Sequence, residues 1–204
     1  PHLIDLQDIP NLSDISVEGS RVRMGAMVTQ AQVIADQGLA HAAPLLKEAA
    51  LQIADPQVRY MGTVGGNVAN GDPANDMPGL MQCLDASFTL VGPNGTRAVN
   101  ARAFYEAAYM TAREDEEVLT EISFDAHAAG YAYEKQKRKI GDYATAASAV
   151  LLSKDGGRCS SASIAMTNLS DTPIFSEAAS AALIGTQLDD AAIKQAVSAA
   201  LGDI

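Results

Sequence analysis

"MGTVGGNVANGDPAND" (Met61–Asp76) sets two adjacent glycines behind Thr63-Val64, then places Asp72 and Asp76 among Pro and Asn. Glycine has no Cβ, so its backbone can approach a ligand closely or take positive φ. Successive N–H groups in such a loop form an anion-binding nest. "TVGGN" therefore suits a phosphate, with the Thr63 hydroxyl and the amides of Val64, Gly65, Gly66 and Asn67 as donors. Residues 62–67 are then expected to be irregular backbone, with several free amides aimed into one cleft. Asp76 lies far enough downstream to reach another part of the same ligand, and a carboxylate accepts well from ribose hydroxyls. Phosphate donors plus a ribose acceptor suggest a nucleotide. The glycine pair serves equally as a tight turn or bulge, and Asp72 before Pro73 as turn chemistry. The loop matches neither GxGxxG nor GxxxxGK[ST].

Upstream, "ISVEGSRVRMGAMV" alternates as a hairpin about Glu18-Gly19-Ser20. Thr29 and Gln32 have capping-box spacing, which predicts a helix through about Gln37. A second helix is expected over Ala43–Ala54, ended by Asp55-Pro56. Downstream, "MPGLMQCLDA" reads as a short apolar helix. "SFTLVGPNGTRAVNA" reads as a hairpin, "ARAFYEAAYM" as a short helix, and "EVLTEISF" and "GYAYEKQKRK" as strands. A hairpin about Asp155-Gly156-Gly157 follows. Two helices then close the chain, the last with Ile193, Ala196, Val197, Ala200 and Leu201 on one face. There is no regular βαβ rhythm. The class is α+β, with subdomains over 1–126 and 127–204 meeting in the small-residue stretch "DAHAAG".

The 204 residues suffice for a real core, and 48% are apolar. A net charge of −11 argues against nucleic acid or an anionic membrane as main partner. No apolar run is long enough to span a bilayer. Cys83 and Cys159 lack CxxC spacing and fit a reducing compartment, the cytoplasm. The three histidines lack metal-ligand spacing, so no metal site is expected. The chain opens at Pro1 on a strand-like "HLIDL", as a piece of something longer would.

"QVRYMGTVGGNVANGDPANDMP", "EEVLTEISF", "YEKQKRKIGDYATA" and "SIAMTN" together resemble the FAD-binding subunits of molybdenum hydroxylases. That group includes the xanthine dehydrogenase flavin domain. "GDPAND" and "YEKQKRKIGDYATA" are most similar to the medium subunit of aerobic carbon monoxide dehydrogenase. The resemblance implies an FAD-binding domain of the vanillyl-alcohol-oxidase type, represented by its second subdomain of antiparallel sheet with helices. A small α+β C-terminal domain would follow. It also implies that Thr63–Asn67 clamp the pyrophosphate and Asp76 fixes the ribose. Leu119 and Ile53 would pack near the cofactor, Lys135 would lie close to the isoalloxazine, and Tyr143 would cover one ring face. Family members carry an earlier subdomain with an AGG-x-S loop that also grips the pyrophosphate. This chain opens just past where that loop would end, so half the clamp is expected to be missing.

The function so implied is electron transfer. Electrons would pass from [2Fe–2S] clusters on a small iron–sulfur subunit through FAD to an acceptor. Substrate would be oxidised at the molybdenum cofactor of a large subunit, and this chain would contribute no catalytic residue. Two other readings remain open: a self-contained FAD oxidoreductase, which needs a general base that the sequence does not offer, and a cofactor-free assembly module.

Overall fold

A computed structural model describes residues 2–127 and 129–204. Ala128, within the expected boundary stretch, lies outside the described residues.

The first hairpin joins β1 (Ile15–Glu18) to β2 (Arg21–Gly25), with Gly19 at φ 62° in the turn. The capping box at Thr29 forms as expected: Gln32 N–H donates to Thr29 Oγ1 at 3.2 Å, and Thr29 N–H donates to Gln32 Oε1 at 2.9 Å. The helix it starts is shorter than predicted. α1 (Gln30–Ala35) stops at Asp36, whose backbone turns extended and whose carboxylate caps α2 (Gln37–Ala42) through Leu39 N–H at 2.7 Å. α3 (Pro44–Ala50) buries Leu45, Leu46, Ala49 and Ala50, then ends four residues early. Ala54 sits at φ 43°, and Asp55, expected to end that helix, lies beyond its end. It caps α4 (Pro56–Met61), with Pro56 in the first turn.

The glycine stretch is not the irregular loop expected of it. α5 (Val64–Asn70) starts there with Thr63 as N-cap and ends at left-handed Gly71. Val64 N–H donates to Val28 O at 2.8 Å, Gly65 N–H to Ala26 O at 2.9 Å and Asn67 N–H to Thr63 O at 3.1 Å. Gly66 N–H donates to Thr63 Oγ1 at 3.1 Å. The four amides expected to bind phosphate are therefore satisfied within the protein. The glycines have a packing reason instead. A Cβ on Gly65 would stand 2.4 Å from Ala26 Cβ and 2.6 Å from Ala26 O, because α5 lies directly on the chain leaving β2. A Cβ on Gly66 would meet its own capping hydroxyl at 2.7 Å.

α6 (Asp76–Cys83) follows, capped by Asn75 and buried along its whole length. β3 (Ser87–Gly92) and β4 (Gly95–Asn100) form the second predicted hairpin. "ARAFYEAAYM" is not a helix. It is a 3₁₀ turn at Ala101–Ala103 followed by the small hairpin of β5 (Tyr105–Ala107) and β6 (Met110–Thr111), with Tyr109 at φ 61° in its turn. The aromatic cluster of Phe88, Phe104 and Tyr105 explains this outcome. Its rings meet edge to face at 4.8 and 5.3 Å, a packing that outweighs the local helix preference of the alanines. β7 (Val118–Asp125) enters between the two hairpins and completes an antiparallel sheet in the order β1-β2-β7-β3-β4.

The rest of the chain builds a second antiparallel sheet. β8 (Gly130–Gln136), β9 (Ala146–Asp155), β10 (Arg158–Thr167) and β11 (Ile174–Phe175) lie in the order β11-β10-β9-β8. β8 ends at Gln136, so the lysines beyond it are not strand residues. α7 (Glu177–Leu183) and α8 (Asp190–Leu201) cover one face. Of the expected stripe on α8, Ala196 is buried and Ala200 partly so, while Ile193, Val197 and Leu201 stay exposed; Ala192 joins Ala196 in the core.

α6 joins the two sheets. It packs on β9 and β10, so closely that a Cβ on Gly79 would come within 2.2 Å of Thr167 Oγ1. One core cluster consequently runs from Val22 and Phe88 in the first sheet to Tyr133, Ala149 and Leu151 in the second.

Gly65→Ala should destabilise the chain by about 1–3 kcal/mol, the usual cost of overpacking against backbone. Chemical denaturation checks this. An unchanged midpoint would show that the backbone at Ala26 yields freely.

Candidate functional site

Two cavities flank the start of α5. The larger, about 260 Å³, lies beside the α5–α6 connection and collects side chains from several segments of the chain. Ile53 comes from the chain after α3, Asn67 from α5, and Asn75 and Asp76 from the start of α6. Lys135 comes from β8 and Tyr143 from the β8–β9 connection. The smaller, about 210 Å³, is lined by Thr63, Gly65, Gly66 and Leu119, with Arg113 and Glu117 at its side. Nine of the ten residues singled out from the sequence thus reach one cavity or the other. Val64 reaches neither: it is fully buried, its side chain in the core and its amide on Val28.

Asp76 is the centre of the larger cavity. Its position at the first turn of α6 puts its charge at the positive end of the helix dipole. Both oxygens are engaged. Oδ2 accepts from Lys135 Nζ at 2.9 Å, and Oδ1 accepts a short hydrogen bond from the Tyr133 hydroxyl. Tyr133 and Lys135 are two apart on β8 and so project from the same face of the strand. The Asp76 and Lys135 side chains retain 6% and 1% of their accessible surface, so this is a buried pair rather than a surface bridge. Burial and the Asp76 carboxylate hold the Tyr133 phenol far above its ordinary pKa, so it is a fixed donor.

The sequence treated Asp76 and Lys135 as contacts at opposite ends of a ligand. The structure also bonds them to each other, from the first turn of α6 and from β8. Tyr133 was missed because "GYAYEKQ" reads as ordinary strand alternation, and no spacing rule links it to a residue on α6. Asn75 was also missed. Its amide donates to Asn67 Oδ1, while Asn67 Nδ2 donates to Thr63 O at 2.6 Å, which braces the cavity wall from below.

Tyrosines stand at and near the mouth of the larger cavity. Tyr143 is 64% exposed and stands at the mouth. Tyr109, strained at positive φ, is held near Asp72, whose carboxylate pushes its pKa up. Asp72 also accepts from Ala74 N–H at 2.9 Å, the turn role expected of it. Beside the smaller cavity, Arg97 binds both oxygens of Glu117 at 2.6 and 2.7 Å. That contact, with the Glu114 amide, holds the Glu117 carboxyl down at about 2.

These groups can bind and orient a long polar ligand with a planar end. They include no nucleophile–base pair. An ammonium and a carboxylate line the larger cavity, a tyrosine ring stands free at its mouth, and Thr63 and the exposed face of Gly66 line the cavity beyond.

Comparison with known proteins bears on what that ligand is. Residues 1–124 match the family described as FAD binding domain in molybdopterin dehydrogenase, and residues 131–204 match the CO dehydrogenase flavoprotein C-terminal domain. The chain is 54% identical to the carbon monoxide dehydrogenase medium chain of Afipia carboxidovorans over 201 residues, covering 98% of this chain and 70% of that one. It is 45% identical to the medium chain of Hydrogenophaga pseudoflava, over the same shares. Among solved structures it superimposes on CO dehydrogenase from Oligotropha carboxidovorans with a TM-score of 0.96, covering 98% of this chain and 71% of that chain at 54% identity.

Asp76→Ala should lower stability by about 3–5 kcal/mol, because it leaves the buried Lys135 ammonium unpaired. A urea titration checks it, and a loss under 1 kcal/mol would mean that water reaches the lysine. Acid should act through Glu117. Its folded pKa lies below the usual 4.5. Its contribution is therefore complete above that value and drains away as pH falls toward about 2. Melting curves across this window should flatten in Glu117→Gln.

Proposed function

The chain belongs to the FAD-binding family of molybdopterin dehydrogenases, and on that premise we propose that it is the flavin-carrying electron-transfer subunit of a molybdenum hydroxylase like carbon monoxide dehydrogenase. The observation that carries this reading is the larger cavity, where Ile53, Asn67, Asp76, Lys135 and Tyr143 converge from five separate segments. Bound FAD supplies exchange of one or two electrons, chemistry that no side chain offers. The chain's own residues supply binding, orientation and electrostatics.

We assign the roles as follows. Tyr143 covers one face of the isoalloxazine and keeps water from it. The Lys135 ammonium stands near the ring, where a cation favours the reduced state with its added negative charge. Asp76 serves the ribose hydroxyls, and Ile53 and Leu119 give apolar contact. Thr63, Gly65, Gly66 and Asn67 face the pyrophosphate. Since the Gly65, Gly66 and Asn67 amides are bonded within the protein, the donors left are the Thr63 hydroxyl and the second hydrogen of Asn67 Nδ2, whose first goes to Thr63 O. Val64 supports that turn from the core.

Substrate oxidation belongs to a large molybdenum-binding subunit, and a small iron–sulfur subunit delivers the electrons. We take the flavin domain to span 1–126 and the C-terminal domain 127–204, and the compartment to be the cytoplasm. Two free cysteines support the last point. Both are buried, and burial pushes the Cys83 thiol up to about 12.

The test is to purify the full-length subunit with its large and small partners and record the visible spectrum. Flavin absorbance stoichiometric with this subunit, reducible through the iron–sulfur partner, is the expected result. A complex that assembles without flavin would favour an assembly module.

A further inference from the structure

We infer that Tyr133 is a positioning residue of the flavin site: it occupies one oxygen of Asp76, leaves the other to Lys135, and so fixes where the lysine ammonium stands in the cavity wall. The inference rests on the functional reading above, but its observations are separate. Tyr133 is 2% exposed, and among the described residues its phenol has Asp76 as its hydrogen-bond partner. A buried phenol held to a charged acceptor is well ordered.

Its own placement is determined from both sides. Within the sheet it pairs with Ala149. On the open edge of β8 its N–H donates to Glu48 Oε1 of α3 at 2.9 Å. That contact also covers the strand edge. The ring is therefore anchored independently of the cavity, and it reaches across to the carboxylate.

A carboxylate with two neighbouring donors divides its oxygens between them. Remove the phenol, and the vacated oxygen turns to the remaining donor, the Lys135 ammonium. The lysine would then chelate Asp76 with both oxygens and withdraw from the cavity. Its field on a bound ring would weaken, and the reduced state would lose stabilisation. Tyr133 touches neither the ring nor the reacting atoms in this scheme. It acts through Asp76 on Lys135.

The experiment uses the FAD-loaded complex and compares wild type, Tyr133→Phe, Asp76→Asn and the double variant. The midpoint potential of the flavin is measured by spectroelectrochemistry, with a melting curve of each complex alongside. Tyr133→Phe should shift the balance about tenfold toward the oxidised flavin, a fall of about 30 mV for a two-electron couple. In the Asp76→Asn background the same substitution should produce no further shift, because the carboxylate it acts through is gone. A lower melting temperature with an unchanged potential would overturn the inference and leave Tyr133 as a strut. Equal shifts in both backgrounds would overturn it as well, since Tyr133 would then act without Asp76. A wild-type complex lacking flavin would sink the functional reading itself, an outcome visible before any variant is made.

Discussion

The buried pair of Asp76 and Lys135 is the constraint around which the rest is arranged. A carboxylate from the first turn of α6 meets an ammonium from β8 at 2.9 Å, and both are nearly closed off from water. Such a pair is not in itself a source of great stability, since two desolvated charges offset much of their attraction. It does specify geometry. Either partner alone would be costly, so α6 must meet β8 in the one placement that joins them. The cavity then forms beside this pair, with walls from α4, α5, α6, β8 and the β8–β9 connection.

The packing around α5 and α6 enforces the same geometry by sterics. Gly65 lets α5 lie on Ala26, and Gly79 lets α6 lie on Thr167. Both are contacts of helix against backbone or a short side chain, with no room for a methyl group. A glycine pair ahead of an acidic residue therefore has two separable meanings here. The glycines set how near the helices come, and the acid is the group that near approach delivers to the site.

Much of this was legible in the sequence, and the failures have physical causes. The hairpins at Gly19, Pro93-Asn94-Gly95 and Gly156-Gly157, the Thr29 capping box and the β7 alternation are local signals, and each formed. Helix ends were misjudged at Asp36, where an acid that stops one helix also caps the next, and after Ala50, where α3 ends short of Asp55, which caps α4. "ARAFYEAAYM" failed because Phe104 and Tyr105 answer to Phe88 on another strand. That Lys135 and Tyr143 gather with Asn67 and Asp76 at one cavity followed from resemblance alone. That Asp76 and Lys135 are bonded to each other, with Tyr133 as third member, depends on contacts between residues 57 and 59 apart in the chain. No periodicity carries such information.

The order of strands in the first sheet bears on how the chain is made. β7 is the last of its five strands to be synthesised, yet it lies in the middle, between β2 and β3. Until Val118–Asp125 leaves the ribosome, the β1–β2 and β3–β4 hairpins have no ladder between them. Each waits with an open edge, and apolar residues such as Val22, Met24, Phe88 and Leu90 wait without a shared core. Non-local pairing of this kind is slow, and unpaired edges are where nascent chains meet one another. Slower synthesis would lengthen that exposure rather than relieve it, so the yield of folded protein should depend on chaperones that shield the two hairpins until the central strand arrives.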